Sequence, residues 1–328
     1  LVRRLIGAGH TVRVITRTMK GELQDALRSS VPDEERLELF EGDIGGDPEG
    51  ILPAFENVIY VYHVAGLTNS IAPYEVFERA NVTATKNICE LSLQNEVARL
   101  VHVSSCDVFG IPNADEVITE ATPYRPWQEP YPDTKIRAVK LVRNYQAKGL
   151  HATIIYPGWV YGPGDRAFLP SLAAQLQDGI MAFWCRGGFE IYFIYIEDLI
   201  DALIPAMESP EAENEDFLIL DEQSGIVMEE FCRRIGDFLG LKYLKVRLPY
   251  QLMHGIGWAS QSLCNLGVLR RPMLSTLDAK FFGHRFTFST AKARTVLKWS
   301  QNTSSDEGIR KALEWYGRHM RGKRIYKN

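Results

Sequence analysis

Two rhythms of apolar residues alternate along the first half of the chain. Short aliphatic or β-branched runs occupy positions 11–16 (TVRVIT), 37–40 (LELF), 58–64 (VIYVYHV), 100–104 (LVHVS) and 153–156 (TIIY). The third is apolar at nearly every position, the pattern of a strand buried on both faces of a parallel sheet. Between these runs lie segments with apolar residues three and four apart, at 51–55, 74–94 and 132–147, which predict helices. Positions 1–7 read as one more helix, stopped by Gly7 and Gly9 before the first strand. Strands alternating with helices predict an α/β fold, a Rossmann-like doubly wound parallel sheet.

After about residue 165 the alternation loosens. Segments 197–207 and 229–239 read as helices, and 217–220 as a strand that rejoins the main sheet. The pattern predicts a sheet domain over 1–165 and a smaller carboxyl-terminal lobe over 166–328, with some segments returning to the sheet. The lobe would cover the carboxyl edge, where doubly wound folds bind their ligands. Segment 248–269 is apolar but carries Gln251, His254, Gln261 and Asn265. Those side chains are costly at a bilayer centre, so no transmembrane span is expected. A buried or cleft-lining helix is the first reading and peripheral membrane contact the alternative.

Composition narrows the classes. The 328 residues are 45% hydrophobic and 24% charged, which fits a globular chain and not a disordered one. A net charge of −4 provides no basic field for nucleic acid. Cys89, Cys106, Cys185, Cys232 and Cys264 are scattered and form no CxxC pair. That argues against a disulfide framework or a structural metal site and for a reducing, cytoplasmic setting. The chain opens at Leu1, without methionine, inside a predicted helix. The expectation is an amino-terminal truncation that removes a first strand, a glycine loop of the kind that cradles phosphate (together about 12 residues) and any targeting signal.

Candidate chemistry concentrates after the fourth strand. The run 101–110 (VHVSSCDVFG) ends a buried strand in two hydroxyls and places Ser105 at the carboxyl edge of the sheet. Downstream, Tyr131 and Lys135 in YPDTK stand four residues apart on one helix face. A tyrosine acting as a base must lose a proton from a group with an ordinary pKa of about 10. A neighbouring ammonium and a cationic nicotinamide would favour the phenolate. Lys135 can also hold ribose hydroxyls, and Ser105 can orient a carbonyl or carbinol oxygen. At the end of the first strand stand Thr16 and Arg17 with no carboxylate. An arginine there pairs with a 2′-phosphate, which favours NADP over NAD. Asp43 could accept from an adenine amino group or could simply cap a turn. His63 and His102 lie inside strands and read as core residues, not ligands.

The stretches GHTVRVITR (9–17), EGDI (41–44), VYHVAG (61–66), NVTATKNICE (81–90), VHVSSCDVFG (101–110), YPDTK (131–135), YPGWVYGPGD (156–165), FIYIEDLIDAL (193–203) and FSTAKARTVLKW (288–299) together resemble the extended short-chain dehydrogenases/reductases, the NAD-dependent epimerase/dehydratase superfamily. The carboxyl half, with its apolar helix, basic-proline turn and SKAR-like helix, is similar to the 3β-hydroxysteroid dehydrogenase and sterol-decarboxylating branch. The resemblance implies a catalytic Ser105, Tyr131 and Lys135. It implies cofactor contacts from Arg17, Asp43, Ile44, Val64, Ala65, Gly66, Asn81, Tyr131, Lys135, Tyr156, Pro157 and Gly158. Residues 1–165 would then be the NAD(P)-binding domain and 166–328 the substrate-binding lobe. The implied activity is hydride transfer on a secondary alcohol or ketone of a sterol-like or other bulky ring. A nucleotide-sugar epimerase or dehydratase, or an NADPH reductase of the dihydroflavonol-reductase type, is the alternative. Arg186, Arg247, Arg270 and Arg271 are the cations available to grip a sugar diphosphate. The resemblance further implies a homodimer through the helices carrying 74–94 and 131–147.

Overall fold

The computed structural model describes residues 1–18, 22–68, 72–184, 190–222, 226–269 and 274–320. The amino-terminal half contains α1 (Val2–Gly7), β1 (Val12–Thr16), α2 (Glu22–Ser30), β2 (Leu37–Glu41), β3 (Tyr60–His63), α3 (Tyr74–Phe77), α4 (Ala84–Gln94), β4 (Arg99–Val103), α5 (Pro130–Gln146) and β5 (Ala152–Pro157). There follow β6 (Trp159–Tyr161), α6 (Phe168–Gln177), β7 (Ile180–Trp184), β8 (Phe193–Tyr195), α7 (Ile196–Glu208) and β9 (Asp216–Ile219). The chain continues through α8 (Met228–Leu239), β10 (Leu244–Leu248), α9 (Tyr250–Asn265), α10 (Thr276–Phe282), α11 (Ala291–Val296) and α12 (Ser305–His319).

Strands β3, β4, β5 and β9 hydrogen-bond side by side in that order, all parallel, and β1 and β2 form a second parallel pair. The alternation of side chains across a strand assigns the two faces. Leu100, Ile154 and Leu218 join the core that also holds Ile88, Val139 and Val142 of α4 and α5. Val101, Ile155, Phe217 and Ile219 pack instead with Leu199, Leu203 and Ala293 of α7 and α11. Helices therefore cover both faces of β4, β5 and β9, and this is why 100–104 and 153–156 read as apolar runs; the 58–64 run is not buried on both faces as expected, for Ile59, Tyr60 and Val64 are exposed. The expected return of 217–220 to the main sheet is realised by β9 beside β5.

Three local expectations are corrected. The helix expected at 51–55 is a pair of tight 3₁₀ turns, Pro48–Gly50 and Leu52–Phe55, each with a proline in its first turn that cannot donate to a longer ladder. The helix expected at 74–94 carries a π-helical stretch, Glu78–Thr83, between α3 and α4. Strands β6, β7, β8 and β10 escape the pattern because β6 and β8 span three residues each and pair with one another, while β7 pairs with β10 outside the main sheet. The 248–269 segment forms α9, and no helix among the described residues is long and apolar enough to cross a membrane.

Candidate active site

Ser105 follows the last residues of β4 and is 6% exposed. It caps a 3₁₀ turn, Cys106–Phe109, by accepting the main-chain N–H of Asp107 at 3.2 Å. A serine is preferred at such a cap because its oxygen satisfies an otherwise orphaned amide. The cap also fixes the side chain at the carboxyl edge of the sheet.

Tyr131 lies in the first turn of α5, half-buried, near enough to the Ser105 hydroxyl for that group to favour its ionised form. One turn on, Lys135 is 5% exposed and its Nζ donates to the carbonyl of Val103 at 3.2 Å. A methyl group added to Gly66 would lie 2.8 Å from that Nζ and 3.3 Å from Oδ1 of Asn81. Only glycine leaves room for the ammonium at this position. Three of the sequence-nominated residues, Ser105, Tyr131 and Lys135, thus converge at the ends of β4 and α5, with Gly66 against the last.

The start of α5 is held from both sides. Asp133 accepts the Trp127 N–H at 2.8 Å, and buried Glu129 pairs with Lys280 of α10 at 2.8 Å. Lys280 also donates to the Trp127 carbonyl at 2.7 Å. The carboxyl-terminal half is therefore tied to the turn that carries Tyr131. A narrow crevice of ≈ 20 Å³ lies here, lined by Thr68, Phe77, Tyr131, Gln261, Ser275 and Leu277 among others. A wider hollow of ≈ 520 Å³, lined by Pro112, Glu116, His284 and Arg285 among others, contains none of the three converging residues. The small crevice beside the chemistry is the relevant one.

Protonation differs from the sequence expectation at one point. Tyr131 is pushed above the ordinary phenol value, first by burial and then by the Asp107 carboxylate, with the nearby Ser105 hydroxyl opposing. Lys135 does not acidify it in the chain alone, because its ammonium is directed at the Val103 carbonyl and is itself lowered to about 8 by burial. Asp107 is pushed up to about 6 by burial, against the opposing influence of the nearby Ser105 and Trp159 side chains and the charge of Lys135. His63 is lowered to about 3 by burial and by Lys135, and His102 well below its ordinary value for the same reasons plus His63. Both are neutral core residues, paired across β3 and β4 in register.

The remaining nominated residues fall into separate groups. Val64, Ala65 and Gly66 are exposed at the carboxyl end of β3. Asn81 lies in the π-helical stretch, buried, and holds the loop after them: its Oδ1 accepts the Leu67 N–H at 2.7 Å and its Nδ2 donates to Thr134 Oγ1 at 3.1 Å. Its side chain is committed to the scaffold. Arg17 is exposed beyond β1. Asp43 accepts the Gly45 N–H at 2.9 Å and pairs with Arg79 at 2.7 Å, so its turn-capping role is realised. Ile44 packs against the core.

Tyr156 is fully buried, with its hydroxyl on Tyr124 at 2.6 Å and Asp216 at 3.2 Å. Its side chain belongs to the core, and a ligand could meet only the main chain there. Pro157 ends β5, and a methyl on Gly158 would lie 2.3 Å from the Tyr192 carbonyl, so the glycine is required by packing. Sequence reasoning gave no role to Asp107, Trp159, Glu129 or Lys280. An acidic residue two positions after a strand-terminal serine was the one available signal, for Asp107.

A dinucleotide is compatible with this edge. Exposed small residues at 64–66, the glycine cradle against Lys135 and the hydroxyls of Ser105 and Tyr131 suit its nicotinamide riboside end. Among the described residues no group of three or more His, Cys, Asp or Glu side chains is placed to hold a metal ion.

Comparison with known proteins agrees. The NAD dependent epimerase/dehydratase family model matches residues 1–219. The chain is 25% identical over 313 residues to 3beta-hydroxysteroid-dehydrogenase/decarboxylase isoform 1 of Arabidopsis thaliana, covering 90% of this chain. It spans 69% of that protein's length and 54% of its second isoform's. It is also 25% identical over 325 residues to 2-alkyl-3-oxoalkanoate reductase of Stenotrophomonas maltophilia, covering 95% of this chain and 93% of that protein. Among solved structures, UDP-glucose 4-epimerase of Thermotoga maritima superposes with a TM-score of 0.74 at 19% identity, over 97% of this chain and 94% of that one.

Proposed function

The chain belongs to the NAD dependent epimerase/dehydratase family, extended short-chain dehydrogenases/reductases, and within that enzyme family we propose that it reduces a ketone on a bulky apolar ring to a secondary alcohol. One observation carries the reading: Ser105, just after β4, and Tyr131, in the first turn of α5, converge at the sheet edge, with Lys135 one helical turn away. The bound coenzyme supplies the hydride. Ser105 orients the carbonyl oxygen, and Tyr131 donates its proton to that oxygen as negative charge develops. A phenol pushed above its ordinary value arrives protonated, and this supports reduction over oxidation. Lys135 would hold the ribose hydroxyls, and Asn81 would keep the 64–67 loop in place.

Relatives that act on a hydroxysteroid and on a 3-oxoalkanoate support a ring or long-chain substrate. For the sugar alternative a diphosphate clamp is required, yet Arg247 is paired with Glu229 at 2.8 Å. Arg186, Arg270 and Arg271 lie outside the described residues. Exposed Arg17, next after Thr16 at the end of β1, supports NADP over NAD. Residues 1–165 would form the coenzyme domain and 166–328 the substrate lobe, supported by Gln261, Ser275 and Leu277 beside Tyr131. Leu252, Trp258 and Leu266 are exposed on or just after α9 and support peripheral membrane contact. Exposed Tyr74 and Val76 at the start of the α3–α4 helical run support a homodimer through those helices and α5. Unpaired Cys89, Cys106, Cys232 and Cys264 support a reducing, cytoplasmic setting.

A panel assay tests this reading. NADPH oxidation is followed with 3-ketosteroids and other cyclic ketones, and interconversion of UDP-glucose is followed in parallel with NAD. Ketone-dependent oxidation supports the proposal. Sugar interconversion without ketone reduction replaces it with the epimerase alternative.

A further inference from the structure

The turn that delivers Tyr131 to the sheet edge runs against its own backbone preference. Gln128 has a φ of 58°, a left-handed conformation that a residue with a Cβ rarely adopts. Such a conformation persists only where the surroundings hold it. Trp127, Gln128 and Glu129 lead directly into Pro130, the first residue of α5, and Tyr131 comes next. Whatever fixes this turn therefore fixes the start of the helix.

The Lys280 ammonium straddles the left-handed residue. Its Nζ donates to the Trp127 carbonyl at 2.7 Å on one side of Gln128 and to Oε1 of Glu129 at 2.8 Å on the other. Glu129 is the amino cap of α5, where an acidic side chain ordinarily serves the first amides of the helix. Here it makes no such bond and faces Lys280 instead. Side-chain exposures of 18% for Lys280 and 9% for Glu129 leave the pair largely shielded from water and salt. Trp127 adds two anchors. Its indole N–H donates to the main-chain carbonyl of Asp107 at 2.5 Å, and its ring stacks on Phe286 with centroids 6.0 Å apart. Asp107 belongs to the 3₁₀ turn that Ser105 caps, so the turn before Tyr131 is tied to the segment that carries the serine.

We propose that Lys280 is a positioning residue for the reaction: by gripping both sides of the left-handed Gln128 it holds the start of α5, and with it Tyr131, in register with Ser105. The proposal rests on the reading of Ser105 and Tyr131 as carbonyl-reducing machinery. Glu129, Pro130 and Tyr131 line the crevice beside the chemistry, whereas Lys280 is not among its lining residues. Lys280 therefore acts through the turn and not on the substrate. Misplacing a reacting group by about 1 Å costs on the order of 100-fold in rate. Lys135 keeps its own anchor on the Val103 carbonyl, so the coenzyme's hold does not depend on Lys280. Loss of the grip should lower kcat and spare the KM for coenzyme.

Two measurements decide it. Lys280→Met alone strands a buried carboxylate, so the variant combines Lys280→Met with Glu129→Gln, or Lys280→Gln with Glu129→Gln should the first not fold. Its kcat for ketone reduction should fall at least about tenfold, with the KM for NADPH within about twofold of wild type. A kcat within about twofold of wild type overturns the proposal. So does a loss of kcat matched by an equal rise in that KM, the mark of a merely structural clip. The second measurement needs no turnover: NMR of protein carrying ¹³C at the tyrosine ζ carbon, with the Tyr131 signal identified by its loss in Tyr131→Phe. In the variant that signal should shift or split, and a signal unmoved from wild type overturns the proposal. A wild type that reduces no ketone rejects the proposed function, and the NMR signal then decides by itself whether Lys280 sets the place of Tyr131.

Discussion

Gly66 lies against Lys135 so closely that a single added methyl group would come within 2.8 Å of its Nζ. The end of a lysine is ordinarily free to move aside, but this one is 5% exposed and bonded to the Val103 carbonyl. Gly66→Ala should therefore displace the ammonium without unfolding the chain. The expected result is a KM for coenzyme raised about tenfold, equivalent to about 1.4 kcal/mol, with a melting temperature near wild type. Steady-state kinetics and a thermal scan check both halves.

Lys135 links activity and stability with opposite signs. Burial lowers its ammonium from 10.5 to about 8. Between those values the unfolded chain holds more proton, so folded-state stability rises with pH through that window, and the full penalty is present below about 8. The penalty is on the order of 3 kcal/mol, while loss of the Val103 hydrogen bond costs about 1 kcal/mol. Lys135→Met should consequently melt no lower than wild type at neutral pH while losing about 100-fold in kcat/KM. Wild-type activity should fall as pH rises through about 8, when the ammonium is lost.

Arg17 is exposed at the end of β1. If it pairs with a 2′-phosphate, Arg17→Ala should raise the KM for NADPH about tenfold and leave the KM for NADH unchanged. Parallel titration of the two coenzymes measures the ratio directly.

Asp216 tests the scaffold apart from the chemistry. Its buried carboxylate accepts from Arg143 at 2.5 Å, Lys292 at 2.9 Å and Tyr156 at 3.2 Å. Removing it leaves cations and a phenol uncompensated. Asp216→Ala should cost about 3–5 kcal/mol, read as a lower midpoint in urea.

The βαβ half was legible because strands buried on both faces leave a run of apolar residues that nothing else explains. Leu100, Val101 and Ile155 are such positions, fully buried on opposite faces. Ser105, Tyr131 and Lys135 were legible because an i,i+4 pair following a strand-terminal serine has few other uses. Less was legible where structure depends on distant partners. The three residues of β6 pair only with β8, far along the chain. Burial of Tyr156 and the use of Asn81 as a loop clamp reflect tertiary contacts with Asp216 and Leu67 that no local spacing reports. The same holds for Tyr131: proximity to Lys135 in sequence suggested an acidified phenol, whereas burial first, and then the Asp107 carboxylate, raises it.

The most direct test of the whole account is turnover of Tyr131→Phe, which removes one oxygen and keeps the ring. The prediction is a kcat for ketone reduction lower by at least about 1,000-fold, with coenzyme affinity and melting temperature within error of wild type. Turnover comparable to wild type would show that the proton comes from elsewhere and would contradict the account.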